Sequence, residues 1–125
     1  MGRSRRWGRG GRVIAEQGDL IEVCFNPTVG HEPQKRRPAL VVSDGIFNNV
    51  LSSLTVVCPI TSTENGHPLH VPLAEGNAVK GCICLEALRV IDLEDPRRGA
   101  RHLGSSLDEV TMAHVLDGIG AIFGI

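Results

Sequence analysis

The residues able to do chemistry crowd into one stretch. Between Asn26 and Arg37 the chain carries His31, Glu32, Lys35, Arg36 and Arg37, which together supply a base, an acid and a cationic cluster. A second polar group, Thr61-Ser62-Thr63, follows Pro59. Charged loops held by well-anchored strands are where binding and catalytic side chains concentrate. Metal chemistry has less support in the spacing. His67 and His70 are three apart in a segment that reads as a strand, which sends their side chains to opposite faces. The four cysteines, Cys24, Cys58, Cys82 and Cys84, contain no C-x-x-C pair, and Cys82 and Cys84 fall on one face of an apolar predicted strand. They read as buried free thiols of a reducing compartment. Neither a signal-peptide core nor an apolar run of membrane-spanning length is visible. The expectation is a cytoplasmic protein with no metal, no cofactor and no membrane association.

Two strands must hold the charged loop. In Asp19–Phe25, Ile21, Val23 and Phe25 point one way and Leu20, Glu22 and Cys24 the other, the period-2 signature of a half-buried strand. Asn26-Pro27 ends it, because proline has no N–H to give to a ladder. Pro38 fixes the exit from the loop, and Ala39 to Val42 is apolar on both faces, as a buried central strand requires. Beyond it, Ser43 or Asp44 caps a short predicted helix with Ile46, Phe47, Val50 and Leu51 inward and Asn48 and Asn49 outward. Leu54 to Ile60 alternates again, with Pro59 confining its end to an edge or bulge. Asn65-Gly66 signals a hairpin returning through Leu69, Val71 and Leu73. Cys82 to Leu93 gives one bent strand or two. Ser106 to Glu109 matches a capping box for a last helix with Leu107, Val110, Leu116, Ile119, Ile122 and Phe123 along one stripe. Gly118 and Gly120 weaken that helix by about 1 kcal/mol each.

The 125 residues fit one domain, with 42% apolar residues for its core and no tyrosine. Five or six short strands with two helices make it mainly β. The net charge of −1 conceals a split: residues 1–12 hold five arginines and no acid, while 13–125 hold 8 basic and 14 acidic residues. A basic Gly/Arg-rich arm, 1–12, thus precedes a single acidic domain, 13–125. The arm reads as a disordered tail; its alternative role is a counterion-releasing contact with nucleic acid.

Three blocks in order carry a family resemblance: GDLIEVCFNPTVGHEPQKRRPALVVS from Gly18, VVCPITS from Val56 and PLHVPL from Pro68. Together they resemble the PemK/MazF (Kid) toxins. The resemblance implies a small SH3-like β-barrel (the PemK/MazF/CcdB-like fold) with a short helix and a C-terminal helix, working as a homodimer. It implies metal-independent, sequence-specific cleavage of single-stranded RNA and neutralisation by a cognate antitoxin. It makes Arg37 and Thr61 the catalytic pair, and matches Glu32 and His31 to the loop glutamate and the Kid-type histidine. Phe25, Asn26, Pro27, Ser62 and Glu86 are expected against RNA. One segment departs from the pattern: where A-D-Q-V-R-S is usual, Glu86 keeps a carboxylate, Ala87 lacks the amide, and Cys84 stands where Kid has an arginine.

The residues suit that chemistry in their own right. Attack by a 2′-hydroxyl, leaving a 2′,3′-cyclic phosphate and a 5′-hydroxyl, needs a base, a cation at the crowded phosphorus and an acid for the leaving oxygen. Arg37 offers a fork of donors, Thr61 a hydroxyl, and His31 or Glu32 a base. Two alternatives remain: a CcdB-like gyrase poison acting through Phe123-Gly124-Ile125, and a weakened relative that only binds RNA or antitoxin. The arm has its own test. If residues 1–12 touch RNA, deleting them weakens binding and flattens its salt dependence in filter-binding titrations; an unchanged slope marks the arm as idle.

Overall fold

Strand β1 (Asp19–Val23) forms where the sequence alternates, and β2 (Arg37–Val41) where it turns continuously apolar. The structure is a computed structural model that describes residues 14–27, 35–51 and 54–125. Five more strands follow: β3 (Leu54–Thr61), β4 (His70–Pro72), β5 (Cys82–Cys84), β6 (Arg89–Asp92) and β7 (Arg101–Ser106). Helix α1 (Glu109–Ile122) closes the described chain. The seven strands form one sheet in the order β4-β5-β3-β2-β1-β7, with β6 also on β3, and every pairing is antiparallel. The expected mainly β architecture with a terminal helix is therefore present, with more strands than the five or six expected.

Two cores flank the sheet. Leu20, Leu40, Cys58, Ile60 and Ile83 meet Met112 and Val115 of α1 on one side. Ile21, Val23, Phe25, Ala39, Val41 and Val57 meet Ile91 and Leu93 on the other. β1 is thus buried on both faces rather than one, because β2 and β7 flank it and each face has a core. The carboxylate of Asp19 is buried with it, 1% exposed, and accepts from the Glu16 N–H at 2.9 Å while standing 3.2 Å from His102 Nε2 on β7. A buried carboxylate persists only when partnered in this way.

Four local expectations are corrected. First, Pro59 lies inside β3 rather than at an edge. Val42 N–H bonds the Val56 carbonyl, so alternation turns Pro59's missing N–H away from β2. On that side β3 changes partner, from β6 at Val57 to β5 at Ile60, and the absent donor falls in the gap. Second, β4 pairs with β5, not β3, so Asn65-Gly66 opens a wide connection instead of a two-residue hairpin. Third, the predicted short helix is a π-helical turn, Phe47–Leu51, with its faces inverted. Asn48 is buried and donates to the Ala15 and Ser43 carbonyls, and Asn49 exchanges bonds with Ala15, while Ile46, Val50 and Leu51 are exposed. The amides outcompete the apolar face because they satisfy backbone groups that burial would otherwise orphan.

Fourth, the cap of α1 is Asp108, which accepts from the Thr111 N–H at 2.9 Å; Ser106 ends β7 instead. The inward stripe is Met112, Val115 and Ile119, and Val110 faces solvent. Gly118 has a positive use as well as a helix cost: a Cβ there would sit 2.5 Å from Leu85 Cδ1, so its absence lets α1 close on the 3₁₀ turn Leu85–Ala87.

Gly81, at the entrance to β5, is more tightly constrained. Its φ of +131° disfavours a side chain, and a Cβ would meet the Thr61 carbonyl oxygen at 2.1 Å. Backbone cannot step aside as a side-chain tip can. Gly81→Ala is expected to lose at least about 2 kcal/mol of stability in urea unfolding, from strain and overpacking together.

Candidate active site

β2 and β3 bring the two expected catalytic residues together. Ala39 pairs with Pro59 and Leu40 with Cys58; continuing that register by two residues sets Arg37 opposite Thr61. Residues opposite one another share a face, and period-2 alternation puts both in line with Ala39, Val41 and Val57. The rows of apolar side chains that bury the lower core therefore end, at this rim, in an exposed arginine and a half-buried threonine. Thr61 Oγ1 accepts the Thr63 N–H at 3.1 Å, which leaves the hydroxyl proton to be donated elsewhere. Ser62 beside it is exposed.

Phe25 and Arg89 extend the same face. Arg89 pairs across from Val57, and its guanidinium carbon lies 4.8 Å from the Phe25 ring centroid. Phe25 is 8% exposed, so it is a core residue carrying a cation on its ring, and it presents no open stacking platform. Asn26 is exposed and Pro27 half-buried at the start of the loop. Arg98 pins that start: its Nη1 donates to the carbonyls of Cys24 and Phe25, both at 3.0 Å. His31 and Glu32 lie outside the described residues.

Glu86 lies on a separate element. The 3₁₀ turn Leu85–Ala87 lies between β5 and β6, where β3 changes partner beside Pro59. His70, paired with Cys84 on β4, places Nε2 3.0 Å from Glu86 Oε2. Desolvation pushes the Glu86 carboxyl up, but the His70 hydrogen bond, a backbone bond and the charges of His70 and His67 outweigh it. The net direction is below the usual carboxylate range, so Glu86 is ionised at neutral pH. Its charge is felt inward. Burial, then Cys84, then Glu86 push the Cys58 thiol up to about 12, and burial followed by Glu86 raises Cys84. All four cysteines are buried and free, as their surroundings suggested.

The histidines were misplaced by the strand reading. His67 to His70 is a turn closed by His70 N–H on the His67 carbonyl at 3.0 Å, and β4 begins only at His70. First and last residues of such a turn lie close together. The two rings accordingly stack, 4.7 Å between centroids and 18° between planes, rather than facing opposite sides. Pro68 between them was the available signal, since proline favours turns. Arg89 and Arg98 gave no motif to find; their partners are distant in sequence.

A model of the PemK-like, MazF-like toxins of type II toxin–antitoxin systems matches residues 16–123. The chain belongs to this family. It is 38% identical over 103 residues to endoribonuclease toxin ChpB of Escherichia coli K12, covering 76% of this chain and 83% of ChpB. With endoribonuclease PemK of Escherichia coli it shares 33% over 112 residues, 86% of this chain and 80% of PemK. Among solved structures, MazF from Deinococcus radiodurans superposes with a TM-score of 0.75 at 31% identity, over 90% of this chain and 98% of that one. MazF in a MazE–MazF crystal from the same organism gives 0.75 at 28%, over 90% and 97%. These family members place endoribonuclease toxins around the chain, and the Arg37–Thr61 rim is where its own residues converge.

Arg98 supplies the test of how the loop is held. Arg98→Met keeps the apolar stem and removes both carbonyl contacts of the Cys24–Phe25 segment. It should cost about 2–3 kcal/mol in chemical denaturation, the range for hydrogen bonds from a charged donor.

Proposed function

We propose that this chain is the toxin of a toxin–antitoxin module and cleaves single-stranded RNA by attack of a 2′-hydroxyl on the adjacent phosphate. The reading is supported by the register of β2 and β3, which continued by two residues aligns exposed Arg37 with Thr61, and by a Glu86 carboxylate that is ionised at neutral pH. Arg37 binds the phosphate and stabilises the charge that builds on its oxygens. Thr61 donates its hydroxyl to one of those oxygens. Ionised Glu86 is disposed to accept the 2′-hydroxyl proton rather than to donate one, with His31 and Glu32 of the loop as the other candidate bases. Arg89, held on Phe25, and the exposed Asn26 and Ser62 contact the strand on either side. As the 2′-oxygen bonds to phosphorus the P–O5′ bond breaks, and the leaving 5′-oxygen takes a proton from water, giving a 2′,3′-cyclic phosphate and a 5′-hydroxyl.

The partners follow the same logic. The exposed apolar residues Ile46, just before the π-helical turn, and Val50 and Leu51 on it, with Leu54 and Val90 on β3 and β6, support a homodimer. An acidic antitoxin segment laid over the cationic rim would block it, and MazF is seen together with MazE in the Deinococcus radiodurans crystals. A gyrase poison is the second reading, because Phe123 is 63% and Ile125 95% exposed rather than packed.

Cleavage should persist in EDTA, stop when a single 2′-hydroxyl at the cut site is replaced by hydrogen, and fall roughly 10²–10³-fold in Arg37→Ala. Gel analysis of end-labelled RNA measures all three. RNA left intact by the wild-type chain would sink the nuclease, and a supercoiling assay then decides the gyrase reading.

A further inference from the structure

We propose that His67, His70 and Glu86 form a binding site for one zinc-type divalent cation. One ligand atom from each of the three lies within 4.8 Å of the others. Ligand atoms around a tetrahedral zinc stand about 3.3–3.6 Å apart, given bonds of about 2.0–2.2 Å, so the set closes when the His67 and His70 rings turn out of their stack. His70 Nε2 and Glu86 Oε2 are already 3.0 Å apart. Two imidazoles and one carboxylate are the donor set that zinc takes with a fourth position left to water.

The scaffold restrains the two segments that bring the ligands together. His67 is fixed at its backbone by Asn65 Oδ1, which accepts its N–H at 3.2 Å, and by the turn to His70. His70 is held in the β4–β5 ladder, with its side chain 9% exposed and Nδ1 buried without a hydrogen-bond partner among the described residues. Glu86 sits on the 3₁₀ turn against α1. Two bonds oppose the ion: the Leu69 N–H donated to His67 Nδ1 at 3.0 Å, and the proton between His70 and Glu86. Binding displaces that proton and reorganises the His67 tautomer, so it releases protons and weakens in acid. The neighbouring thiols compete poorly, because Cys58, Cys82 and Cys84 are buried and held protonated.

Bound zinc occupies the carboxylate of Glu86 and lowers RNA cleavage. That consequence rests on the nuclease reading, whereas the binding does not. The full chain, stripped with EDTA and desalted, is titrated with zinc against a chromophoric chelator. One zinc per chain at micromolar free metal or tighter is expected, with His67→Gln and His70→Gln each weakening it about tenfold or more while circular dichroism shows both folded. No binding at submillimolar zinc overturns the site, as does binding that both variants retain. Cobalt in the unmutated chain gives a readout free of any folding defect. A visible spectrum without thiolate charge transfer supports the site, and a thiolate band overturns it. In the RNA assay, zinc should slow the wild type relative to its own zinc-free rate and leave that ratio unchanged in His67→Gln. A chain that binds zinc through these residues but never cuts RNA upholds the site and fails the nuclease.

Discussion

Strand β3 is the constraint on which the rest depends. Among the described strands it alone pairs with three neighbours, β2 on one edge and β6 then β5 on the other. Its alternating side chains feed both cores, with Cys58 and Ile60 above and Val57 below. The change of partner on its second edge would leave a backbone donor stranded at residue 59, and proline removes that donor. The 3₁₀ turn carrying Glu86 fills the gap between the two partner strands, with Pro59 beside it. On the first edge the register with β2 aligns Arg37 with Thr61. One strand thus positions the cation, the hydroxyl and, through the gap, the carboxylate.

The electrostatics of the rim follow from what lies beneath it. The described domain is acidic, yet Arg37 and Arg89 project from one face. Arg89 is steadied by the Phe25 ring, an arrangement that limits its freedom without neutralising its charge. Among the described residues no carboxylate pairs with Arg37, whose side chain is exposed. Under the proposed function Arg37 and Arg89 are the groups that would meet a phosphodiester, and donors fixed in advance are what electrostatic catalysis relies on.

How much of this was legible depended on how local the determinants are. β1, β2 and β3 announce themselves by alternation and apolar runs, and the motifs around Arg37 and Thr61 single out two residues that the β2–β3 register, continued, aligns. The partner of β4 was not legible, because β4 and β5 meet by a choice between strands that no single window contains. Asn48 was assigned outward by polarity; it faces inward because the carbonyls of Ala15 and Ser43 need its amide. Ser106 was chosen as cap by pattern and Asp108 won by geometry, with β7 running on to Ser106. The His67–His70 stack hid behind a strand assignment that failed at Pro68, and with it the link to Glu86.

The altered segment 84–87 is best understood through its packing. Cys84 is buried beside Cys58, so the position offers no cation to the rim. Glu86 compensates in placement rather than in charge. Leu85 is anchored in the upper core and meets Gly118 of α1, where only a hydrogen's width separates helix from turn. His70 restrains the same carboxylate from the side of β4. With Leu85 locked below and His70 beside it, Glu86 has few positions open to it, although it is exposed. Its side chain is therefore restrained by the anchored Leu85 beside it in the chain and by the bond to His70. Ala87 has no amide to offer a base. A restrained, ionised carboxylate is the arrangement that the proposed proton acceptor and the proposed cation site can both use.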